Sequence, residues 1–248
     1  MTLRTHIDGS VFAEHLTGSG PRLLALHGWG RDRSDLLPAL VGRDLVAVDL
    51  PGFGASPPPP HAWGAADYAD AVATMLRDLD GGPVLVVGHS FGGRVAAHLA
   101  AAHPDLVSGV VFVGVPLLRQ AASNKPAPLY RAVRAAHRMH LVPESTMERM
   151  RQRYGSRDYN AASGRMREVF VRVVAEDYRE QLQQCDCPAA FCWGANDTAA
   201  PPAIAREAAT LVRHLVRLDI LDGVGHDVHR DAPEALISAI DAVAQAAR

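Results

Sequence analysis

Short runs of aliphatic residues recur along the chain, and each ends in a turn rich in glycine or proline. Runs of this kind predict strands that are buried on both faces. Segments with helical periodicity follow several of them, for example Ala65 to Leu79 and Phe91 to Ala102. Strands that alternate with helices favour an α/β fold with a mostly parallel sheet and helices on both faces. The six segments that contain these strands and their closing turns are Arg22 to Gly30, Asp44 to Ser56, Pro83 to Ser90, Leu106 to Pro116, Pro188 to Asp197 and His214 to His226.

The beginning of the chain and one long internal segment depart from this alternation. "TLRTHID" and "SVFAEHL" near the start predict a β-hairpin at the edge of the sheet. Between Leu117 and Leu182 the strand pattern stops, and Arg, Met, Tyr and Glu recur at helical spacing. We therefore expect residues 1–116 and 183–248 to form the core domain and residues 117–182 to form a helical insertion.

Composition narrows the class of protein. The chain has 248 residues, 48% of them hydrophobic, which suits one large α/β domain. No apolar run is long enough to span a membrane and the first residues lack a secretory signal, so we expect a cytoplasmic protein without membrane contact. The net charge of −2 gives no reason to expect nucleic acid as a partner. Three closely spaced cysteines without a neighbouring histidine favour neither a disulfide framework nor a zinc site, and no metal is predicted.

Charge is distributed unevenly along the chain. Leu117 to Glu180 contains 13 Arg and Lys against 7 Asp and Glu, whereas the remainder is acidic. Within this block Arg131, Arg134 and Arg138 are spaced for one helical face. Such a block indicates either contact with an anionic partner or a solvated helix surface.

The segment Gly88-His89-Ser90-Phe91-Gly92 joins a predicted strand directly to a predicted helix. Glycines two residues before and two residues after the serine suit a sharp turn in which the backbone is crowded. Such a turn projects the serine hydroxyl outward as a nucleophile. The alternative is that Ser90 only caps the helix.

A nucleophilic serine needs a base, and among the 12 histidines His226 has the most suitable position. It lies in a glycine-rich loop past the last predicted strand, and parallel sheets hold their chemistry at these carboxyl ends. Asp197 follows the preceding strand and would orient His226. Asp197 could instead be a helix N-cap. Asp222 also flanks the His226 loop and is the alternative carboxylate for orienting His226.

Two backbone N–H groups are candidates for an oxyanion hole. The N–H of Phe91 follows the nucleophile at the start of a helix. A second would come from Trp29 in His27-Gly28-Trp29-Gly30, after an earlier strand. The alternative is structural: His27 would only brace this loop, and Gly28 and Gly30 would only form its turn. We expect His27, Gly28, Gly30 and His89 to lie around the substrate pocket.

The sequence resembles the α/β-hydrolase superfamily along nearly its whole length. The similar segments are "HGWG", "VDLPGFGAS", "VGHSFGG", "WGANDTAAP" and "GVGHDVHRDAPEAL". The resemblance implies an eight-stranded, mostly parallel sheet with residues 117–182 as a cap over the site. It also implies the roles of nucleophile for Ser90, acid for Asp197 and base for His226. The chain looks most similar to pimeloyl-acyl-carrier-protein methyl ester carboxylesterases, whose basic cap engages an acidic carrier protein.

The resulting hypothesis is a serine hydrolase that cleaves a carboxylic ester or thioester through an acyl-enzyme. It needs no metal or organic cofactor. The expected partners are a small-molecule acyl ester and, through the arginine face, an acidic carrier protein. Two alternatives use the same fold: a carbon–carbon bond hydrolase of vinylogous diketones, and a ligand-binding receptor that turns over slowly. Cofactor-free haloperoxidase chemistry would be a side activity of such a site.

Overall fold

The computed structural model describes residues 2–79, 82–119, 128–154 and 156–248. Eight strands form one sheet in the order β1-β2-β4-β3-β5-β6-β7-β8. They are β1 (Thr2–His6), β2 (Val11–Leu16), β3 (Ser19–Leu26), β4 (Arg43–Asp49), β5 (Val84–His89), β6 (Val107–Val113), β7 (Ala189–Gly194) and β8 (Leu215–Leu221).

The sheet is antiparallel only at one edge. β1 pairs with β2 and β2 with β4 in antiparallel register, and the remaining pairs from β4 to β8 are parallel. The predicted hairpin and the mostly parallel sheet are therefore confirmed. Because parallel strands end on the same side, the residues that follow β3, β5, β6, β7 and β8 meet at one edge of the sheet.

Ten α-helices lie in the described part of the chain. They are α1 (Ala65–Arg77), α2 (Phe91–Ala102), α3 (Pro128–Arg138), α4 (Glu144–Tyr154), α5 (Arg157–Ala161), α6 (Gly164–Val174), α7 (Arg179–Gln184), α8 (Pro202–Ala209), α9 (Val228–Asp231) and α10 (Pro233–Ala246). α2 begins and ends where its periodicity predicts. α9 was not predicted, because four residues are too short to show a period. None of the described helices is both long and apolar enough to cross a membrane.

Burial on both faces explains the continuous aliphatic strands. On β5, Val84 and Val86 belong to one hydrophobic cluster together with residues of α1 and α2. Leu85 and Val87 point the other way and pack in a second cluster with residues of α10. Alternate residues thus bury against different helix layers, and each fully buried side chain stabilises the fold by roughly 1.5–3 kcal/mol. A polar residue at any of these positions would face a hydrophobic layer.

The predicted insertion contains α3 to α6 and the start of α7, which ends two residues past the expected boundary at 182. Residues 120–127 and 155 of this insertion lie outside the described residues. Val173 of α6 is buried in the same cluster as the helices of the core. The buried Arg94 on α2 donates hydrogen bonds to the carbonyls of Val173, at 2.7 Å, and Pro116, at 3.1 Å. The insertion is therefore tied to the core near both of its ends, and its division from the core stays a prediction.

Candidate active site

Ser90 lies in the turn between β5 and α2 in a strained backbone conformation. Its φ is +49° and its ψ is −108°, and residues other than glycine rarely adopt a positive φ, which costs about 1–2 kcal/mol. Ser90 occupies the N-cap position of α2, yet its side chain makes no capping hydrogen bond. The residue is half-buried, and its hydroxyl is not used to cap the helix.

Glycines make this turn possible because the backbone is crowded on both sides of it. A Cβ atom on Gly88 would lie 2.6 Å from the Cα of Gly93, and one on Gly92 would lie 2.1 Å from the carbonyl oxygen of Leu26. These distances are shorter than any real Cβ contact. The turn after β5 thus needs glycine on both sides of Ser90, as its sequence indicates.

His226 and Asp197 come together at the same edge of the sheet. The Nδ1 of His226 lies 2.8 Å from the Oδ2 of Asp197. The other oxygen of Asp197 accepts the backbone N–H groups of Ala199, at 2.9 Å, and Ala200, at 2.8 Å. Asp197 is buried and His226 is partly exposed. This arrangement places the imidazole proton on Nδ1 and leaves Nε2 free to accept a proton.

The geometry matches neither of the two alternatives, which were a helix N-cap role for Asp197 and an orienting role for Asp222. Pro201, not Asp197, is the N-cap residue of α8. Asp222 is exposed and forms no hydrogen bond or ion pair with His226 in the described structure. Asp197 is therefore the carboxylate that orients the imidazole in this structure.

Gly114 lies between the Ser90 turn and the His226–Asp197 pair, and no sequence pattern had singled it out. It follows β6 with φ of +56°. A Cβ atom there would lie 3.0 Å from the carbonyl oxygen of His226 and 3.2 Å from the Oδ2 of Asp197. The neighbouring carbonyl of Val113 accepts the N–H of Ser90 at 2.9 Å. The sequence signal that could have indicated Gly114 is its position: it is a glycine directly after an aliphatic strand, at the edge of the sheet that carries the site.

The two candidate oxyanion donors lie on adjoining segments. Phe91 is the first residue of α2, so its N–H has no acceptor within the helix and points out of the helix N-terminus. The N–H of Trp29 finds no acceptor within the described chain. The carbonyl of His27 accepts the N–H of Gly92 at 3.0 Å, which joins the two segments. The Trp29 and Phe91 rings also pack edge to face, with centroids 5.3 Å apart.

His27 braces the loop that carries Trp29. Its Nε2 accepts the N–H of Leu50 at 3.1 Å, and its Nδ1 donates to the carbonyl of Gly28 at 2.8 Å. Burial lowers the pKa of His27 and keeps the ring neutral. Gly28 allows the loop to approach closely, because a Cβ there would lie 2.8 Å from the Nδ1 of His89. His27 and Gly28 are buried, while Gly30 is exposed with φ of +70°.

His89, expected around the pocket, is buried instead. Its side chain is 1% exposed, and its Nδ1 lies 3.2 Å from the Oδ2 of Asp35. Burial lowers the pKa of His89 to about 4, so the neutral ring donates this hydrogen bond. The sequence did not indicate Asp35, because a lone aspartate in a loop has no distinctive pattern.

A cavity of about 590 Å³ lies between the core and the predicted cap. Trp29, Arg31 and Phe53 line it from the core, and Arg157 and Met166 line it from the cap. Ser90 and His226 are not among its lining residues, whereas Trp29, a candidate oxyanion donor, is one of them. Aromatic and charged groups thus face each other next to the candidate site.

The three arginines singled out in the insertion lie on the exposed side of α3. Arg131, Arg134 and Arg138 line one shallow groove of about 370 Å³. All three side chains are exposed, and no carboxylate partner is found for them within the described residues. They are not brought into contact with Ser90, Asp197 or His226.

The fold and this site define a class of protein, and comparison with known proteins identifies it. The chain belongs to the alpha/beta hydrolase family, whose model matches residues 23–239. That span begins in β3, ends in α10 and includes Ser90, Asp197 and His226. The predicted family and fold are confirmed.

Two curated relatives illustrate the similarity. A pimeloyl-acyl-carrier-protein methyl ester esterase from Chromobacterium violaceum is 32% identical over 215 residues, 77% of this chain and 82% of that protein. The 2-(acetamidomethylene)succinate hydrolase from Mesorhizobium japonicum is 38% identical over 100 residues, 39% of this chain and 36% of that protein. In this and two further local matches the chain spans between 36% and 38% of the relative's length.

Solved structures agree with the fold. A crystal structure of an esterase from Rhodococcus sp. superposes with a TM-score of 0.70 over 100% of both chains at 23% sequence identity. At this identity the likeness concerns the fold alone.

Proposed function

We propose that this chain is a serine hydrolase that cleaves a carboxylic ester or thioester through an acyl-enzyme. The observation that carries the proposal is the conformation of Ser90. Its φ of +49° is unfavourable, and its hydroxyl makes no capping bond. Strained residues cluster at active sites, so this strain supports a turn that presents the hydroxyl to a substrate. The esterase relatives support the same conclusion.

In the proposed first half-reaction the Ser90 oxygen attacks the acyl carbon as the Nε2 of His226 takes its proton. Asp197 stabilises the imidazolium that forms, since its buried carboxylate already holds the Nδ1–H. The N–H groups of Trp29 and Phe91 hold the negative oxygen of the tetrahedral intermediate. A donor of this kind contributes about 3 kcal/mol to the transition state. Collapse of the intermediate releases the alcohol or thiol with the proton from His226.

The second half-reaction repeats these steps with water. His226 accepts a proton from a water molecule, which attacks the acyl carbon bonded to Ser90, and the same two N–H groups hold the oxyanion. Return of the proton to Ser90 releases the carboxylic acid and restores the enzyme. His226 carries every proton transfer and the two backbone N–H groups stabilise each oxyanion, so the proposed reaction needs no cofactor.

The basic face of α3 supports a further proposal about the partner. Arg131, Arg134 and Arg138 present three exposed cations with no carboxylate of the described chain to neutralise them. An acyl group delivered on an acidic carrier protein would be attracted to this face. The relative from Chromobacterium violaceum is named for an ester of this kind.

A fluorophosphonate probe tests the nucleophile. The activated oxygen of Ser90 attacks phosphorus as it would attack an acyl carbon, so we expect one adduct per molecule on Ser90, located by mass spectrometry. Hydrolysis of 4-nitrophenyl esters of graded acyl length should be lost in Ser90→Ala and retained in Ser10→Ala, which removes an exposed serine in the turn between β1 and β2. Modification of another residue with Ser90 unlabelled would contradict the proposal. Cleavage of a vinylogous diketone without ester hydrolysis would indicate the carbon–carbon hydrolase instead.

A further inference from the structure

Asp35 is a buried carboxylate that contacts the segments carrying the proposed nucleophile, base and oxyanion donor. It lies in the loop after β3, at the end of a short 3₁₀ turn, and its side chain is 1% exposed. We propose that Asp35 is a positioning residue of the active site that holds these three segments in one arrangement. This inference rests on the proposed function, because it concerns the same reaction.

The nucleophile segment contacts Asp35 through His89. This residue directly precedes Ser90, and its Nδ1 lies 3.2 Å from the Oδ2 of Asp35. The ring of His89 also packs against the ring of His226, with centroids 5.0 Å apart. A shift of His89 would therefore move both the strained serine and the base.

The base segment contacts Asp35 at two points. The Nε2 of His229 lies 3.1 Å from its Oδ1, and a guanidinium nitrogen of Arg230 lies 2.9 Å from the same oxygen. These residues come three and four positions after His226, on α9 and directly next to its loop. Because α9 is only four residues long, these contacts, rather than the helix itself, hold the loop in place.

The oxyanion segment contacts Asp35 on either side of Trp29. The N–H of Gly28 donates to the Oδ2 of Asp35 at 3.4 Å, and the guanidinium of Arg31 lies 2.7 Å from its Oδ1. A second guanidinium nitrogen of Arg31 lies 2.7 and 2.8 Å from the two carboxylate oxygens of Asp227. Asp227 is the residue after His226, so Arg31 links the oxyanion loop directly to the base loop.

The charges in this cluster balance. Two carboxylates, Asp35 and Asp227, face two guanidinium groups, Arg31 and Arg230. Burial would raise the pKa of Asp35, but hydrogen bonds from His229 and His89 oppose it and hold that pKa well below its usual range. Asp35 thus stays ionised and can accept from all of its donors at once.

A metal ion is a poorer explanation of the same cluster. Asp35, His89 and His229 each offer one ligand atom, and these atoms lie within 4.8 Å of one another. However, the ring nitrogens of His89 and His229 each already bond one oxygen of Asp35, and two guanidinium groups contact the same carboxylate. A divalent cation would add charge to a balanced cluster and would have to displace those guanidinium groups. The geometry therefore favours a positioning role.

The substitution Asp35→Asn tests the proposal, because it keeps the size of the side chain and removes its charge. We expect the acylation rate constant, measured in a single turnover per folded molecule, to fall about a hundredfold. A small misplacement of the reacting groups has an effect of about this size. The half-saturating ester concentration should change much less than the rate constant, because Arg31 is the one partner of Asp35 among the described residues that line the cavity. A rate within about threefold of wild type would overturn the proposal.

Glu14→Gln is the matched control. Glu14 is also a buried carboxylate, 9% exposed. It lies on β2 and pairs at 3.3 Å with Arg33, two residues before Asp35, but it forms no ion pair with Asp35, His89, Arg31 or the segment 226–231 within the described residues. It should acylate at the wild-type rate per folded molecule, even where its melting temperature falls. An equal loss of rate in both variants would mean that any lost buried charge has this effect, which would also overturn the proposal.

Variants of His229 keep the test decisive if Asp35→Asn does not fold. His229→Ala removes one donor to Asp35, and we expect about a tenfold loss of acylation rate. His229→Gln supplies an amide N–H in its place and should recover most of that loss. Identical rates in the two variants would count against the proposal. If wild type itself is not labelled at Ser90 by the phosphonate, the proposed function fails; if it is labelled and these variants acylate normally, only the role of Asp35 fails.

Discussion

At the scale of single residues, the pairing of His226 with Asp197 has the clearest chemical consequence. The Oδ2 of the buried carboxylate lies 2.8 Å from Nδ1 and accepts its proton, and the second oxygen is fixed by two backbone N–H groups. The orientation of the imidazole therefore depends on a group that cannot easily move. Any substitution that changes what Asp197 accepts should change which nitrogen of His226 carries the proton.

Asp197→Asn is expected to keep the fold and to lower kcat by roughly a thousandfold or more, because the amide favours the wrong imidazole tautomer. The measurement is kcat for a 4-nitrophenyl ester, with circular dichroism to verify folding. Asp222→Asn is the control, since Asp222 is exposed beside the same loop. Near-normal turnover in Asp197→Asn together with a loss in Asp222→Asn would assign the orienting role to Asp222.

At the scale of elements, α3 separates its two faces by charge. Arg131, Arg134 and Arg138 are exposed, whereas Val133, Ala136 and His137 are partly buried. A helix of this kind is held by its inner face, so its outer charges can be changed with little effect on the fold. This allows recruitment of a partner to be measured separately from chemistry.

Reversal of the three arginines to Glu should lower kcat/KM roughly tenfold or more for an acyl ester carried on an acidic protein at low salt, and should weaken the dependence on salt. Hydrolysis of a small neutral ester should be unchanged, because the proposed triad lies on the core sheet. Arg4, Arg206 and Arg213, exposed elsewhere, form the control triple with the same change in net charge. If neither substrate is affected, the arginines only solvate the helix, and equal losses on both substrates would indicate a misfolded cap.

At the scale of the whole molecule, buried histidines make stability depend on pH. Burial lowers the pKa of His27, and that of His89 to about 4, from an ordinary value of 6.5. The unfolded chain therefore binds protons below pH 6.5 that the folded chain does not bind. Stability is lost as pH falls from about 6.5 toward the folded values. The lowered pKa of Asp35 acts at lower pH, since its contribution is present above the unfolded value of 3.8 and is lost below it.

The free energy of unfolding should thus decrease between pH 7 and pH 5, by up to about 1.4 kcal/mol per pH unit for each such histidine. Urea unfolding at a series of pH values measures this slope. His27→Gln removes one titrating group and should flatten the slope, although it lowers the stability at pH 7. A slope that is the same in wild type and His27→Gln would contradict this account of His27.

Local patterns in the sequence determined the order of strands and helices and the positions of Ser90, Asp197 and His226 at strand ends. These features depend on neighbours in the chain: aliphatic runs of strand length, glycines around a sharp turn, and loops that follow parallel strands. The same reasoning indicated the edge of the sheet where the candidate site lies, because parallel strands end together. It did not indicate which partners a buried histidine would have, and it placed His89 around the pocket.

Only the tertiary structure decided the surroundings of the candidate site. Asp35 contacts His229 across 194 positions of chain, and His89 across 54. Gly114 matters because it lies against the His226–Asp197 pair, which its own neighbours do not reveal. Contacts between residues so far apart depend on how the strand-end loops pack together, and hydrophobic periodicity carries no information about that packing. The strands that hold these loops are encoded by neighbouring residues in the chain. The ion pairs between the loops form only when the sheet has brought the loops together.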